Sequence, residues 1–131
     1  MIKHLMILWI LLYPVIAFSS TIHVGKGEVV KSIQHAIGLA KENDSIVVHT
    51  GIYKEGNIII PKKIYFLGKG CPILDGQKKY EIISVKADGV IVDGFKLIHS
   101  GISAMDDYAG IKMYDCNNVE IRNNILQDTY F

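Results

Sequence analysis

The chain has 131 residues, half of them hydrophobic, with 14 Lys and Arg against 13 Asp and Glu. This length allows one small domain, the hydrophobic content excludes a disordered tail, and the balanced charge excludes a basic face for nucleic acid. The two cysteines, Cys71 and Cys116, are too few for a disulfide framework or for a zinc site built on cysteine pairs.

The first segment has the plan of a secretory signal peptide. Lys3 and His4 precede an apolar run over 5–18, and small residues lead up to a cleavage position after Ser19. The run is shorter than the ~20 apolar residues that cross a bilayer, which favours a cleaved signal over a membrane anchor. We therefore predict a signal peptide over residues 1–19 and an exported mature chain, in the periplasm, at the cell surface or secreted.

Residues 20–55, the lead-in to the coils, begin the mature chain and have the pattern of a strand, a helix and a second strand. Short β runs cover Thr21–Val24 and Ser45–His49. Between them, apolar residues with the i, i+3, i+4, i+7 spacing of one helical face are Ile33, Ala36, Ile37 and Ala40. We predict a short helix over 33–40 that covers the N-terminal end of the core.

Residues 56–131 repeat a simpler pattern, in which short β runs alternate with Gly, Asn and Asp turns. The nine runs are Ile58–Ile60, Ile64–Leu67, Ile73–Leu74, Ile82–Val85, Val90–Val92, Phe95–Ile98, Ile111–Met113, Val119–Ile121 and Ile125–Leu126. They fall into three sets of three, and equivalent residues recur at a spacing of 25 to 29. Such a repeat is typical of a solenoid.

A coiled chain gives these strands partners for their backbone hydrogen bonds. Crossover helices and hairpins do not, because no helix-length segment connects the strands and most of their connections lack hairpin turn signals. Each strand pairs with its equivalent one coil later, about 4.8 Å away. We therefore predict an all-β chain, a right-handed parallel β-helix. It is a single-stranded solenoid of about three coils, with a short N-terminal capping α-helix after the signal peptide.

In-register stacking assigns residues to shared columns. The two predicted interior columns are Ile58, Ile83 and Ile111, and Phe66, Val92 and Ile121. A predicted corner of the coil contains Gly68, Gly94, Asn123 and Asn124, where a left-handed backbone is useful.

Two groups of sequence segments resemble a known family. The segments before the coils are Ser32–Ile37, Asp44–His49 and Gly51–Glu55, and they are similar to the N-terminal part of right-handed parallel β-helix proteins. The segments within the coils are Phe66–Gly68, Pro72–Gly76, Val90–Phe95, Ala109–Ile111 and Asn117–Asn124. Together they resemble the NosD family, exported, pectin-lyase-like β-helix proteins of the carbohydrate-binding and sugar-hydrolase type, over nearly all of residues 21–131.

The resemblance implies a role, a metal and partners. The member that names the family is an accessory factor in copper processing during maturation of nitrous oxide reductase. That enzyme and a membrane transporter are therefore the implied partners, and copper is the implied metal. Such proteins normally carry more coils, so we expect this chain to be truncated at its C-terminus.

Potential copper donors are scattered along the sequence. Imidazole, thiolate and thioether groups suit copper, and the candidates are His23, His35, His49, His99, Cys71, Cys116, Met105 and Met113. No two have the spacing of a helical or Cys-x-x-Cys metal motif, so a gathered copper site is not expected within this chain. Cys71 and Cys116 fall at different corners two coils apart, so a disulfide between them is not expected either.

The third run of each set places a polar column at the surface. Ile73 is expected to align with Leu97 and Leu126, and two positions further on lie Asp75, His99 and Asp128. Stacked carboxylate, imidazole and carboxylate groups suit a divalent metal or a polar ligand. The alternative is that all three are solvated turn residues.

A longer connection over 101–109 offers further ligand contacts, since loops that bulge from a β-helix often shape a groove. Its candidate contact residues are Asp106, Asp107 and Tyr108. The adjacent acids are also candidate oxygen ligands for calcium.

Three functions remain open on the sequence. The first is the accessory copper-processing role. The second is a carbohydrate-binding or polysaccharide-active protein, such as a lyase, hydrolase or epimerase, and the third is a non-catalytic surface binding module. No catalytic residue can be assigned, and the sequence favours a protein that is not an enzyme.

Overall fold

The structure is a computed structural model that describes residues 14, 16, 18–103, 105, 106 and 108–130. Most of the predicted signal peptide over 1–19 lies outside these residues. Across the described ranges, no helix is long and apolar enough to cross a membrane.

One short helix and twelve short strands make up the described chain. In chain order they are β1 (Thr21–Val24), α1 (Ile33–Leu39), β2 (Ser45–His49), β3 (Ile52–Tyr53), β4 (Ile58–Ile60), β5 (Tyr65–Lys69), β6 (Ile73–Asp75), β7 (Ile83–Val85), β8 (Ile91–Asp93), β9 (Lys96–Ile98), β10 (Ile111–Met113), β11 (Glu120–Arg122) and β12 (Ile125–Gln127). The helix and all the predicted strands are present, with ends that differ by at most two residues. Only β3 was not predicted, because two residues show no periodicity.

All the strand pairs between these elements are parallel, and they form three sheets. The strand orders are β1-β2-β5-β8-β11, β4-β7-β10 and β3-β6-β9-β12. Neighbours in each sheet come from successive coils, so the chain winds as a parallel β-helix of about four turns. The predicted fold class is confirmed. It has about one turn more than expected, because β1, β2 and β3 of the lead-in pair with the coils instead of standing apart.

Equivalent apolar residues stack in the interior. Both predicted columns form, Ile58 with Ile83 and Ile111, and Phe66 with Val92 and Ile121. Phe66 and Val92 have no exposed surface, whereas Ile121 in the last described coil is 39% exposed. Phe66 also stacks on Phe95, with the ring centroids 4.3 Å apart.

The sheet of β3, β6, β9 and β12 differs from the predicted alignment by one residue. Leu74, not Ile73, is the partner of Leu97, which pairs with Leu126, and Ile73 lies opposite Lys96. Successive residues of a strand face opposite sides, so an inward Ile73 would also turn Asp75 into the core. With Leu74 inward, the carboxylate stays at the surface and avoids the cost of burying an unpaired charge.

The predicted corner is left-handed at two of its four residues, and Gly68 and Asn124 are not among them. Gly94 has a φ of 88° and Asn123 a φ of 54°. Gly68 is not left-handed and lies inside β5, where a Cβ atom would overlap the carbonyl oxygen of Gly94 on the next coil. Glycine is needed at position 68 for the close approach of two coils, not for backbone handedness.

Polar groups hold the N-terminus of α1. Ser32 Oγ accepts a hydrogen bond from the backbone N–H of His35 at 3.3 Å. Glu55, from the segment after β3, accepts from the N–H groups of Ile33 and Gln34 at 2.9 and 3.1 Å. The helix has no acidic residue in its own first turn, so Glu55 supplies the negative charge that its N-terminus favours. Held in this way, α1 packs on β1, β2 and β4.

Asp44 joins the ends of the first two strands. This residue is buried, and its two carboxylate oxygens accept hydrogen bonds from the backbone N–H groups of Ser20 and Lys41, each at 2.8 Å. These bonds, with Ser20 the larger contribution, hold the pKa of Asp44 below its usual range.

Val92→Asp tests the predicted interior column. The substitution places an unpaired carboxylate in a site with no solvent access, so we expect it to lower the free energy of unfolding by more than about 3 kcal/mol. Urea unfolding followed by circular dichroism measures the change. Ile59→Asp, at a strand position that is 40% exposed, is the control and should cost no more than about 1 kcal/mol. Equal losses would contradict the register.

Acid titration tests Asp44. Because its folded pKa lies below the unfolded value of about 3.9, the carboxylate stabilises the fold above that pH, and this contribution is lost as the pH falls through the folded pKa. We expect Asp44→Asn to be less stable at neutral pH and to lose less stability on acidification than the wild type. Urea unfolding at a series of pH values measures both effects, with the exposed Asp115→Asn as the control. A wild-type acid profile in Asp44→Asn would refute the assignment.

Candidate functional site

Asp75 ends β6 and begins a tight turn. Its Oδ1 accepts a hydrogen bond from the N–H of Gln77 at 2.8 Å, and both Gln77 and Lys78 adopt left-handed φ angles of 55° and 58°. The N–H of Lys78 donates to the carbonyl of His99 at 2.9 Å. The turn is therefore tied to the coil that carries His99, and Asp75 is held against that coil.

His99 lies between the two predicted carboxylates. Its Nδ1 is 3.2 Å from Asp75 Oδ1, and its Nε2 is 3.9 Å from Asp128 Oδ2. His99 and Asp128 directly follow β9 and β12, which are in register, and both have left-handed φ angles of 56° and 51°. Asp75 pairs with Ile98 in the ladder, one residue from the predicted alignment. The structure still brings all three predicted side chains together.

The two ring nitrogens of His99 face different carboxylates, and this limits the chemistry of the column. An ion bound at one nitrogen is out of reach of the carboxylate at the other. The Asp75 side chain is 13% exposed, whereas that of Asp128 is 68% exposed. The column therefore has a shielded acid that orients the imidazole and an open acid that faces solvent, an arrangement suited to holding a polar ligand.

A shallow cleft of about 440 Å³ opens beside Asp128, and we call it the Asp128 cleft. Its lining residues are Lys78, Ser100, Ile102, Asp128, Thr129 and Tyr130. The N–H of Tyr130 donates to Ser100 Oγ at 2.9 Å, which ties two successive coils together at the cleft wall. The cleft thus combines an ammonium group, a carboxylate, hydroxyl groups and a half-exposed aromatic ring.

Two of the three predicted loop-contact residues contact each other. The hydroxyl of Tyr108 donates to Asp106 Oδ2 at 3.4 Å, and Asp107 lies outside the described residues. Ile102, at the start of the same loop, lines the Asp128 cleft. The loop therefore borders the cleft through an apolar residue that the sequence analysis did not single out.

A second cluster joins His23, Glu28 and His49. Nδ1 of His23 is 2.9 Å from Nε2 of His49, which is 3.5 Å from Oε1 of Glu28. These two candidate copper donors lie side by side in the fold although they are far apart in the sequence. Parallel pairing of β1 with β2 brings together rings that are 26 residues apart. The signal that would have found them is the presence of an outward-facing histidine on each of two strands that stack.

The remaining candidate copper donors are not part of this cluster. Within the described ranges, one group of three or more His, Cys, Asp or Glu side chains has donor atoms close enough to share an ion. Its members are His23, Glu28 and His49. Cys71 is exposed and Cys116 half-buried, and both are free thiols, as expected.

Asp93 and Arg122 form an ion pair on the outer surface of adjacent coils. Arg122 Nε lies 2.7 Å from Asp93 Oδ2, and this hydrogen bond, helped by Asn123, lowers the pKa of Asp93. Half of the Arg122 side chain is exposed, so the pair is a surface contact of small energetic value.

Comparisons with known proteins add no functional information. A scan against models of protein families, a search of characterised proteins and a search of solved structures each gave no match. The fold and the geometry of the two clusters therefore carry the functional argument.

Thiol labelling tests the placement of the cysteines. We expect the native chain to react with two equivalents of a thiol reagent, rapidly at exposed Cys71 and more slowly at half-buried Cys116. Cys71→Ser should remove the fast phase and Cys116→Ser the slow one. A native chain that takes up reagent only after reduction would contradict the two free thiols.

Proposed function

We propose that the protein is an exported β-helix protein that binds a polysaccharide segment in the Asp128 cleft. The observation that carries the proposal is the continuity of the cleft with the Asp75, His99 and Asp128 column. Asp128 belongs to both, because it lines the cleft and lies 3.9 Å from the His99 ring.

The chemistry of the lining suits a polyhydroxylated ligand. Sugar hydroxyl groups both donate and accept hydrogen bonds, so a carboxylate, an ammonium group and side-chain hydroxyls match them. The apolar face of a sugar ring packs on an aromatic side chain, and Tyr130 is 47% exposed at this site.

Binding, rather than cleavage, is the activity that we propose. Glycosidases use two carboxyl groups that flank the scissile bond. Here Asp75 is occupied by Gln77 and His99, which leaves Asp128 as the freely accessible carboxylate of the column.

The copper-processing role implied by the NosD resemblance stays a prediction. Cu(I) prefers sulfur ligands, and the free thiols of Cys71 and Cys116 belong to no shared donor group in the described part of the chain. The partners that this role implies, nitrous oxide reductase and a membrane transporter, also stay predictions.

A polysaccharide array tests the proposal. The full chain is applied to an array that includes alginate, polygalacturonate, xylan and dextran, and each ligand that binds is studied by affinity electrophoresis. We expect Tyr130→Ala and Asp128→Asn each to weaken binding at least about tenfold, equivalent to about 1.4 kcal/mol. Circular dichroism confirms that each variant is folded.

Matched controls lie on other faces of the coil. Tyr65→Ala, on β5, and Asp115→Asn, between β10 and β11, should leave binding unchanged. The proposal fails if no polysaccharide on the array binds. It also fails if the control variants lose as much affinity as the cleft variants.

A further inference from the structure

Three potential metal ligands converge where the first two coils begin. His23 lies on β1, His49 ends β2 and Glu28 lies in the loop after β1. Their donor atoms are within 4.8 Å of one another. This cluster is separate from the Asp128 cleft, with which it shares no residue.

The strand register and a glycine position the His49 ring. Val24 pairs with Val48, so His49 comes next in line with Gly25. A Cβ atom at Gly25 would lie 3.1 Å from Cβ of His49, closer than most such contacts. The absence of a side chain at Gly25 therefore gives His49 the room that it occupies beside His23.

The loop that carries Glu28 is held by its own hydrogen bonds. The N–H of Glu28 donates to the carbonyl of Gly25, and the N–H of Gly25 donates to that of Val30, each at 3.1 Å. The Lys31 ammonium donates to the carbonyls of Lys26 and Glu28 at 2.9 and 3.0 Å. Lys31 thus stabilises the loop through its backbone, and the Glu28 carboxylate faces His49.

Hydrogen bonds within the cluster do not pair all three groups at once when the rings are neutral. Nε2 of His49 faces both His23 Nδ1 and Glu28 Oε1. A neutral imidazole nitrogen carries at most one proton, so it donates to one of these acceptors and leaves the other unmatched. If His23 carries the shared proton, the lone pair of His49 faces a carboxylate oxygen. A cation placed among the three lone pairs is attracted to all of them.

We propose that His23 Nδ1, His49 Nε2 and Glu28 Oε1 form a binding site for a divalent transition-metal ion, with Zn²⁺ and Cu²⁺ the ions that these donors suit best. Bonds of about 2.0–2.1 Å place neighbouring donors about 2.9 Å apart at a right angle and about 3.4 Å apart at the tetrahedral angle. The observed separations of 2.9 and 3.5 Å are close to these two values.

The site is open to solvent. His23 is exposed, and the side chains of His49 and Glu28 are 29% and 39% exposed. An ion therefore has a direct route in, and water can complete its coordination. Three protein ligands with an open position are the pattern of zinc sites that also contact a substrate or water.

Metal titration of the full chain tests the site. Zn²⁺ is titrated against a fluorescent chelator in competition with the wild type, His23→Gln and Glu28→Gln. We expect one tight equivalent in the wild type and an affinity at least about tenfold weaker in each variant. His23 is chosen because it is more exposed than His49, and Glu28 because it lies in a loop. Thermal unfolding should show a Zn²⁺-dependent rise in Tm in the wild type alone.

Electron paramagnetic resonance with Cu²⁺ identifies the ligands independently of affinity. We expect the coupling pattern of two imidazole nitrogens in the wild type and of one in His23→Gln. His35→Gln, on an exposed position of α1, is the matched control and should retain the wild-type spectrum and affinity. Equal affinity in the wild type and His23→Gln would overturn the site, as would an equal loss in His35→Gln. The cleft variant Asp128→Asn should bind Zn²⁺ normally, so this proposal and the polysaccharide proposal fail separately.

Discussion

Parallel stacking of each coil on the next, at the spacing of about 4.8 Å between paired strands, is the constraint on which the rest of this structure depends. It requires like residues to lie over like residues, and an apolar position in one coil therefore needs an apolar position in the next. The Phe66, Val92 and Ile121 column meets this requirement. It also requires close backbone approach at the corners, which explains why Gly68 lies against Gly94.

The same stacking builds the polar clusters on the outside. Strand residues alternate between the interior and the surface, so outward-facing side chains from successive coils also become neighbours. His23 meets His49 in this way, Arg122 meets Asp93, and His99 meets Asp128 just beyond their strands. A short solenoid can thus assemble a site from residues that are 24 to 29 positions apart in the sequence.

Both candidate sites lie near strand ends, where the backbone leaves the regular ladder. In the column, Asp75 ends β6 whereas His99 and Asp128 follow β9 and β12, and left-handed φ angles at His99 and Asp128 mark the exit from the ladder. At the other cluster, a hydrogen-bonded loop after β1 adds Glu28 to the two histidines. The coils hold these positions in place, and the turns and loops contribute His99, Asp128 and Glu28 to the two sites. Since one such frame supports many functions, the sites must be tested individually.

The sequence by itself determined the β-helix. Its period, its short β runs and the equivalence of Ile58, Ile83 and Ile111 follow from side-chain alternation, which can be read without coordinates. Stacking also predicted the Asp75, His99 and Asp128 column, despite a one-residue error in the alignment of β6. Only the tertiary structure decided that β1, β2 and β3 belong to the coils, and that His23, Glu28 and His49 converge. Strand pairing between coils and the path of a loop depend on contacts across the fold, which local periodicity does not encode.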